Sequence, residues 1–142
     1  MHILVFEDEP QLRLRVSQLL EEEGYNVMSF ALPSRAFEAI GSSEIFPKIA
    51  ILDIQIGNLS TYMIEQEQIK GFPQETAGIE LAKKILQIKN IPIIFLTAHG
   101  DMYKSAEQVG AYVFFEKGKI DLLSVVTNVN QIMYTHYRNN PD

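Results

Sequence analysis

Ile3-Leu4-Val5-Phe6-Glu7-Asp8-Glu9 is the stretch that decides the fold. Four apolar residues, three of them β-branched or aromatic, run without alternation straight into three carboxylates. A strand that is apolar at every position is covered on both faces, which is the condition of an inner strand in a parallel sheet. Acidic residues directly after such a strand lie at its carboxyl end. In open α/β sheets that edge is where sites form, near the switch in strand order.

Outward from this stretch the same grammar repeats. Ile49-Ala50-Ile51-Leu52 and Ile91 to Leu96 are also continuous apolar runs, and Tyr25 to Phe30 and Ala111 to Phe115 read as two further strands. Helical spacing fills the gaps. Pro10 suits a first helical turn, Leu12, Val16, Leu19 and Leu20 follow at helical intervals, and Gly24 stops the run. Ser34 is a candidate cap for a short helix ended by Gly41. Ile79, Leu81, Ile85 and Leu86 mark a third helix. Asp101 is the candidate cap of a fourth, ending before Gly110. Asp121 caps a fifth that carries Leu122, Val125, Val126, Val129 and Met133. Strand followed by helix, five times over, predicts an α/β fold with right-handed crossovers.

Composition fits one such domain. The chain has 142 residues, 46% apolar and 21% charged, a globular profile. The net charge of −6 argues against nucleic acid or an anionic membrane as the main partner. There is no cysteine, which excludes disulfides, thiolate zinc sites and a Cys nucleophile. The sequence has neither a signal-peptide pattern nor an apolar run of the ~18 residues a membrane span needs, so a cytoplasmic protein is the expectation. The histidines, His2, His99 and His136, lack metal-ligand spacing, and Glu21-Glu22-Glu23 reads as a solvated helix end.

One stretch breaks the economy. Strand-to-helix loops usually take about 2–6 residues, but Asp53 and Gly78 are much further apart. Residues 58–77 therefore read as an insertion, in which Ser60 to Gly71 has a cap-like start and a glycine stop, enough for a short helix. Its apolar members, among them Leu59, Tyr62, Met63, Ile64, Ile69 and Phe72, are too many for a solvated linker. A partly ordered lid or a partner surface, with no direct chemical role, is the expectation. The domain is expected to span residues 1–138, with 139–142 a flexible tail; the polar character of the end begins at Tyr137.

The strand ends gather the chemistry. Strand one ends in Glu7-Asp8, strand three in Asp53, strand four in Thr97, and Lys117 follows strand five. Packed carboxylates repel and need a cation or raised pKa values. A hard divalent ion, Mg2+ or Mn2+, takes oxygen ligands and keeps positions open for phosphate oxygens. Asp53 could then serve as a nucleophile that forms an acyl phosphate, with Thr97 and Lys117 on the phosphoryl oxygens.

This set resembles the receiver domain of bacterial two-component response regulators. The resemblance rests on residues 3–9, Ile51-Leu52-Asp53-Ile54, Gly78-Ile79-Glu80-Leu81, Phe95-Leu96-Thr97-Ala98 and Gly110-Ala111 through Lys117. It implies a flavodoxin-like (CheY-like) three-layer sandwich: a five-stranded parallel sheet of order 2-1-3-4-5 with five helices. It implies that Asp53 accepts a phosphoryl group from a histidine kinase or phosphotransfer protein. Asp8 and Asp53 would hold the metal, Glu7 through water, with the backbone carbonyl of Gln55 completing the protein ligands. Thr97 takes the switch role and Phe114 the position of the switch aromatic. A downstream protein target, or a dimer formed on phosphorylation, would read the face built by the helix near residues 101–109, the last strand and the last helix. Such a domain catalyses its own phosphorylation and dephosphorylation without being an enzyme in the ordinary sense.

Two departures stand against the family pattern. Gly118 replaces the proline after the lysine, where a trans bond is expected from the ~2.5–4 kcal/mol cost of a non-proline cis bond. Ile56-Gly57 replaces Met-Pro after the aspartate. The competing readings are a flavin binder, disfavoured because Glu7-Asp8-Glu9 would repel a phosphate, an Asp-nucleophile phosphohydrolase, disfavoured because Gln55 stands where a second Asp is usual, and a degenerate receiver that acts only as a binding module.

Overall fold

In a computed structural model, residues 1–42 and 45–137 are described. The elements in chain order are β1 (His2–Phe6), α1 (Pro10–Glu22), β2 (Asn26–Phe30), α2 (Pro33–Ser42), β3 (Ile49–Leu52), α3 (Thr61–Ile69), α4 (Ala77–Ile88), β4 (Ile93–Thr97), a 3-10 turn (Gly100–Met102), α5 (Tyr103–Val109), β5 (Val113–Glu116), α6 (Leu122–Ile132) and a π-helical turn (Met133–Tyr137). All strand pairs are parallel and the order is β2-β1-β3-β4-β5. The registers Ile3↔Ile49 and Ala50↔Ile93 align the carboxyl ends of the three inner strands.

Strand alternation divides the core. Leu4, Phe6, Ala50, Leu52, Ile93 and Phe95 pack against α2, α4 and α5 through Ala36, Ile40, Leu81, Ile85 and Ala106. Ile3, Val5, Ile49, Ile51, Ile94 and Leu96 pack on the other face against α1 and α6 through Val16, Leu20, Val125 and Val129. Both faces of the inner strands are thus buried, as their continuous apolar character requires. None of the described helices is long and apolar enough to cross a membrane.

Several local expectations need correction. The described residues hold six α-helices, because 58–77 contributes α3; Ser60 caps it by accepting from Met63 N at 3.2 Å. α2 begins at Pro33, one residue before the expected Ser34 cap, and continues through Gly41 to Ser42. Proline's fixed φ suits a first helical turn, and the Ser34 hydroxyl is engaged elsewhere. Asp101 caps nothing: it lies inside the 3-10 turn that Met102 N closes on His99 O, and α5 starts only at Tyr103. Ile91 and Pro92 stay outside β4, where the Pro92 carbonyl still accepts from Ala50 N. Tyr25 likewise precedes β2, and Ala111 and Tyr112 precede β5.

Tyr137 is not part of a polar tail. It is buried against the α1/α6 face, its hydroxyl donates to the Lys48 carbonyl, and the Lys48 ammonium lies 4.9 Å from its ring centroid. The expected end of the domain at 138 and the tail 139–142 lie outside the described residues. Asp121 caps α6 as its position predicts, accepting from Leu123 N at 3.0 Å, and Glu21 to Glu23 are exposed.

Candidate functional site

β1 delivers Glu7 and Asp8, β3 delivers Asp53, and the residue after β5 is Lys117. Their side chains meet at the carboxyl edge. One carboxylate oxygen from each of Glu7, Asp8 and Asp53 lies within 4.8 Å of the others, and all three residues are buried. The Lys117 ammonium sits 2.7 Å from Glu7 Oε1 and 2.9 Å from Asp53 Oδ2.

Each carboxylate is also held by backbone. Ile54 N donates to Asp53 Oδ1 at 2.7 Å. Glu9 N donates to Glu7 Oε2 at 3.1 Å, while Glu9 itself caps α1 through Gln11 N and Leu12 N. Gly57 N and Asn58 N both donate to Asp8 Oδ2, at 2.5 and 2.7 Å. The first residue of the 58–77 stretch therefore does touch the site, contrary to the expectation that none of it would.

Burial dominates the electrostatics. It pushes the Glu7 carboxyl up to about 8, and the neighbouring Asp53 charge adds to the rise, while Lys117 only partly opposes it. For Lys117 burial alone would lower the ammonium pKa, but the charges of Asp53 and Glu7 outweigh it and the net direction is upward. Three buried carboxylates against one ammonium form a hard, oxygen-only donor set with excess negative charge, which fits a divalent cation of the Mg2+ type.

A pocket of about 230 Å3 opens over this cluster, lined among others by Asp8, Asp53, Gln55, Asn58, His99 and Lys117. Of residues 58–77 only Asn58 lines it, so α3 is not a lid over the site. His99 does face the pocket. Thr97 is fully buried beneath it and does not line it; its hydroxyl accepts from His99 N at 3.2 Å. Phe114 lies apart from the pocket, half-buried, with its ring edge-on to Tyr103 at 5.5 Å between centroids.

Gly118 does not displace Lys117. No cis peptide bond occurs among the described residues, so the Lys117–Gly118 bond is trans, and Gly118 has φ +83°. That left-handed conformation is costly for any residue with a Cβ. Sequence reading missed a second glycine role. A Cβ on Gly78 would lie 1.7 Å from the Asp53 carbonyl oxygen, and Gly78 N donates to Ile54 O at 2.9 Å. The start of α4 can press against the end of β3 only without a side chain there. The glycine after a long loop was visible in the sequence, but the backbone it approaches was not.

The sequence matches the response regulator receiver domain family over residues 3–127. It is 32% identical over 118 residues to the C4-dicarboxylate transport transcriptional regulatory protein DctD of Rhizobium meliloti (strain 1021), covering 81% of this chain and 22% of that protein. It is 25% identical over 118 residues to sporulation initiation phosphotransferase F of Bacillus subtilis (strain 168), covering 81% of this chain and 80% of that one. The chain thus spans less than a quarter of the first relative's length but most of the second's. Among solved structures, response regulator protein TrrA of Thermotoga maritima, in complex with Mg(2+)-BeF, has a TM-score of 0.68 at 25% identity, over 92% of this chain and 97% of that one. A CheY-like receiver domain protein of Methanospirillum hungatei JF-1 has a TM-score of 0.75 over 98% of both chains, at 18% identity. Fold, strand-end carboxylates and sequence agree, and the chain belongs to the response regulator receiver domain family.

Proposed function

We propose that the chain is a phosphoacceptor switch in which Asp53 takes a phosphoryl group from a phosphohistidine of a histidine kinase or phosphotransfer protein. One observation carries the reading: Asp53 lies at the floor of an open pocket, one oxygen held by Ile54 N and the other paired with Lys117. A carboxylate so placed is oriented and accessible. In the transfer a carboxylate oxygen of Asp53 forms the new O–P bond, the donor's N–P bond breaks, and the leaving imidazole nitrogen keeps the electron pair. Asp8, Asp53 and the Gln55 carbonyl would hold Mg2+ or Mn2+, with Glu7 in the outer sphere. The ion, when bound, offsets the negative charge of the incoming phosphoryl group.

Lys117 is within reach to move from Asp53 onto a phosphoryl oxygen, an electrostatic role. Thr97, next to the pocket's Ala98 and His99, would turn its hydroxyl toward the same group. Lys117 N donates to Thr97 O at 2.7 Å, so these two positions are fixed to one another by the β4–β5 ladder. Phe114 and the face of α5, β5 and α6 then carry the signal to a downstream protein target or a second copy, with the protein acting in the cytoplasm. The trans geometry that keeps Lys117 on Asp53 favours this reading over a degenerate binding module.

Incubation with acetyl phosphate and Mg2+, followed by intact mass measurement, tests it. The expected result is a single phosphoryl adduct that Asp53→Asn loses. No adduct, or one that survives Asp53→Asn, would overturn the assignment.

A further inference from the structure

The stretch from Ile56 to Gln74 leaves the sheet and returns as a closed loop. Its neck is a reciprocal pair: Ile56 N donates to Gln74 O at 3.0 Å, and Gln74 Nε2 donates to Ile56 O at 3.1 Å. Directly beyond the neck, Gly57 N and Asn58 N hold Asp8 Oδ2, and Ser60 then caps α3. The two amides occupy one oxygen of Asp8 and leave Oδ1 as its oxygen for a cation.

What keeps α3 seated is unusual. Of its nine residues only Glu67 is buried, 1% exposed, and it is a carboxylate. Tyr62 and Ile69 face outward, and Ile64 alone among the apolar side chains of α3 packs partly on the core. A helix this short has no stability of its own, so its position rests on its anchor. Glu67 Oε1 accepts from Ser34 N at 2.9 Å and Oε2 from the Ser34 hydroxyl at 2.6 Å. Glu67 thereby caps the first turn of α2 from a distant part of the chain, where a negative charge meets unpaired N–H groups. Lys70, at 4.0 Å and half-exposed, adds little.

Only Leu59 separates the Asp8-binding amide of Asn58 from the Ser60 cap. We propose that Glu67, latched to Ser34, is a positioning residue for Asp8: by seating α3 it holds the Gly57 and Asn58 amides on Asp8 and so presets this carboxylate for the divalent cation. The inference rests on the metal role given to Asp8 above.

The test is a Mg2+ titration by calorimetry on the unphosphorylated protein, together with amide hydrogen exchange at Gly57 and Asn58. Glu67→Ala should weaken Mg2+ binding by up to about tenfold, the lower end of effects seen when partners of a metal ligand are removed. It should also speed exchange at both amides while the amides of β1 and β3 stay protected. Glu67→Gln, whose amide can still accept from Ser34 N, should restore both readouts to near the parent values. If Glu67→Ala does not fold, Ser34→Ala opens the same latch from the other side, keeps the backbone N–H bond, and should shift both readouts the same way by less. Parent-like affinity and exchange in a folded Glu67→Ala or Ser34→Ala would overturn the proposal while leaving the metal site standing. A parent protein that binds no Mg2+, or an Asp8→Ala variant that binds it as well as the parent, would instead overturn the metal role itself.

Discussion

Lys117 and Glu7 form a close ion pair, 2.7 Å between Nζ and Oε1, inside a cluster where Glu7 still holds its proton far above the ordinary carboxyl range. The pair does not make Glu7 a strong acid, because burial costs the charged carboxylate more than one shared lysine returns. Lys117 divides its charge between Glu7 and Asp53. The site is therefore set up to gain from an added cation.

A pH dependence follows from this. Glu7 rises from an ordinary 4.5 to about 8 in the folded protein. The folded state thus binds this proton more tightly than the unfolded chain, so Glu7's contribution is most favourable below about 4.5 and is lost as pH rises to about 8. In metal-free buffer with EDTA, Tm should fall between pH 5 and pH 8 more steeply in the parent than in Glu7→Gln. Equal slopes in urea or thermal melts would contradict the assignment.

Lys117→Met removes the one ammonium in the cluster. Breaking a buried ion pair on one side typically costs about 3–5 kcal/mol, and the half-buried position of Lys117 places the loss here at the lower end or below. The metal-free variant should melt lower than the parent at pH 8. Mg2+ should then raise its Tm by more than it raises the parent's, since the cation meets three uncompensated carboxylates. A smaller Mg2+ response than the parent's would count against the charge argument.

Gly78→Ala places a methyl group where the Asp53 carbonyl oxygen stands, at 1.7 Å. The start of α4 must shift, and the cost should be about 2–4 kcal/mol in urea unfolding, at or above the usual range for overpacking because the obstacle is backbone. Adduct formation with acetyl phosphate should fall as well, since the same carbonyl belongs to the proposed acceptor. A neutral Gly78→Ala would mean that α4 can retreat freely from β3.

Tyr137→Phe keeps the buried ring and its contact with Lys48 but deletes the hydroxyl donor to the Lys48 carbonyl. A loss of about 1 kcal/mol is expected, with the m-value unchanged. Removing residues from 137 onward should cost more, because the ring is part of the α1/α6 core. An equal effect of the two changes would show that the ring contributes nothing.

By itself the sequence determined the layered sheet and most of the site. Continuous apolar runs at Ile3–Phe6, Ile49–Leu52 and Ile93–Leu96 have one stable solution, an inner parallel strand, and whatever follows them must lie on one edge. Glu7, Asp8, Asp53 and Lys117 were legible for that reason, each a fixed step past a strand. Pairwise geometry across distant segments was decided only by the tertiary structure. Glu67 looked like one polar residue among Glu65, Gln66 and Gln68, and Ser34 looked like a helix cap; nothing local distinguishes a carboxylate that faces water from one that faces the start of another helix 33 residues earlier in the chain. The same holds for Gly78 beneath Asp53, for the Gly57 and Asn58 amides on Asp8, and for Tyr137, whose polar neighbours concealed a buried ring. Periodicity records which face of an element is covered; it carries no information about which polar atom of another element arrives there, because that depends on how the layers pack.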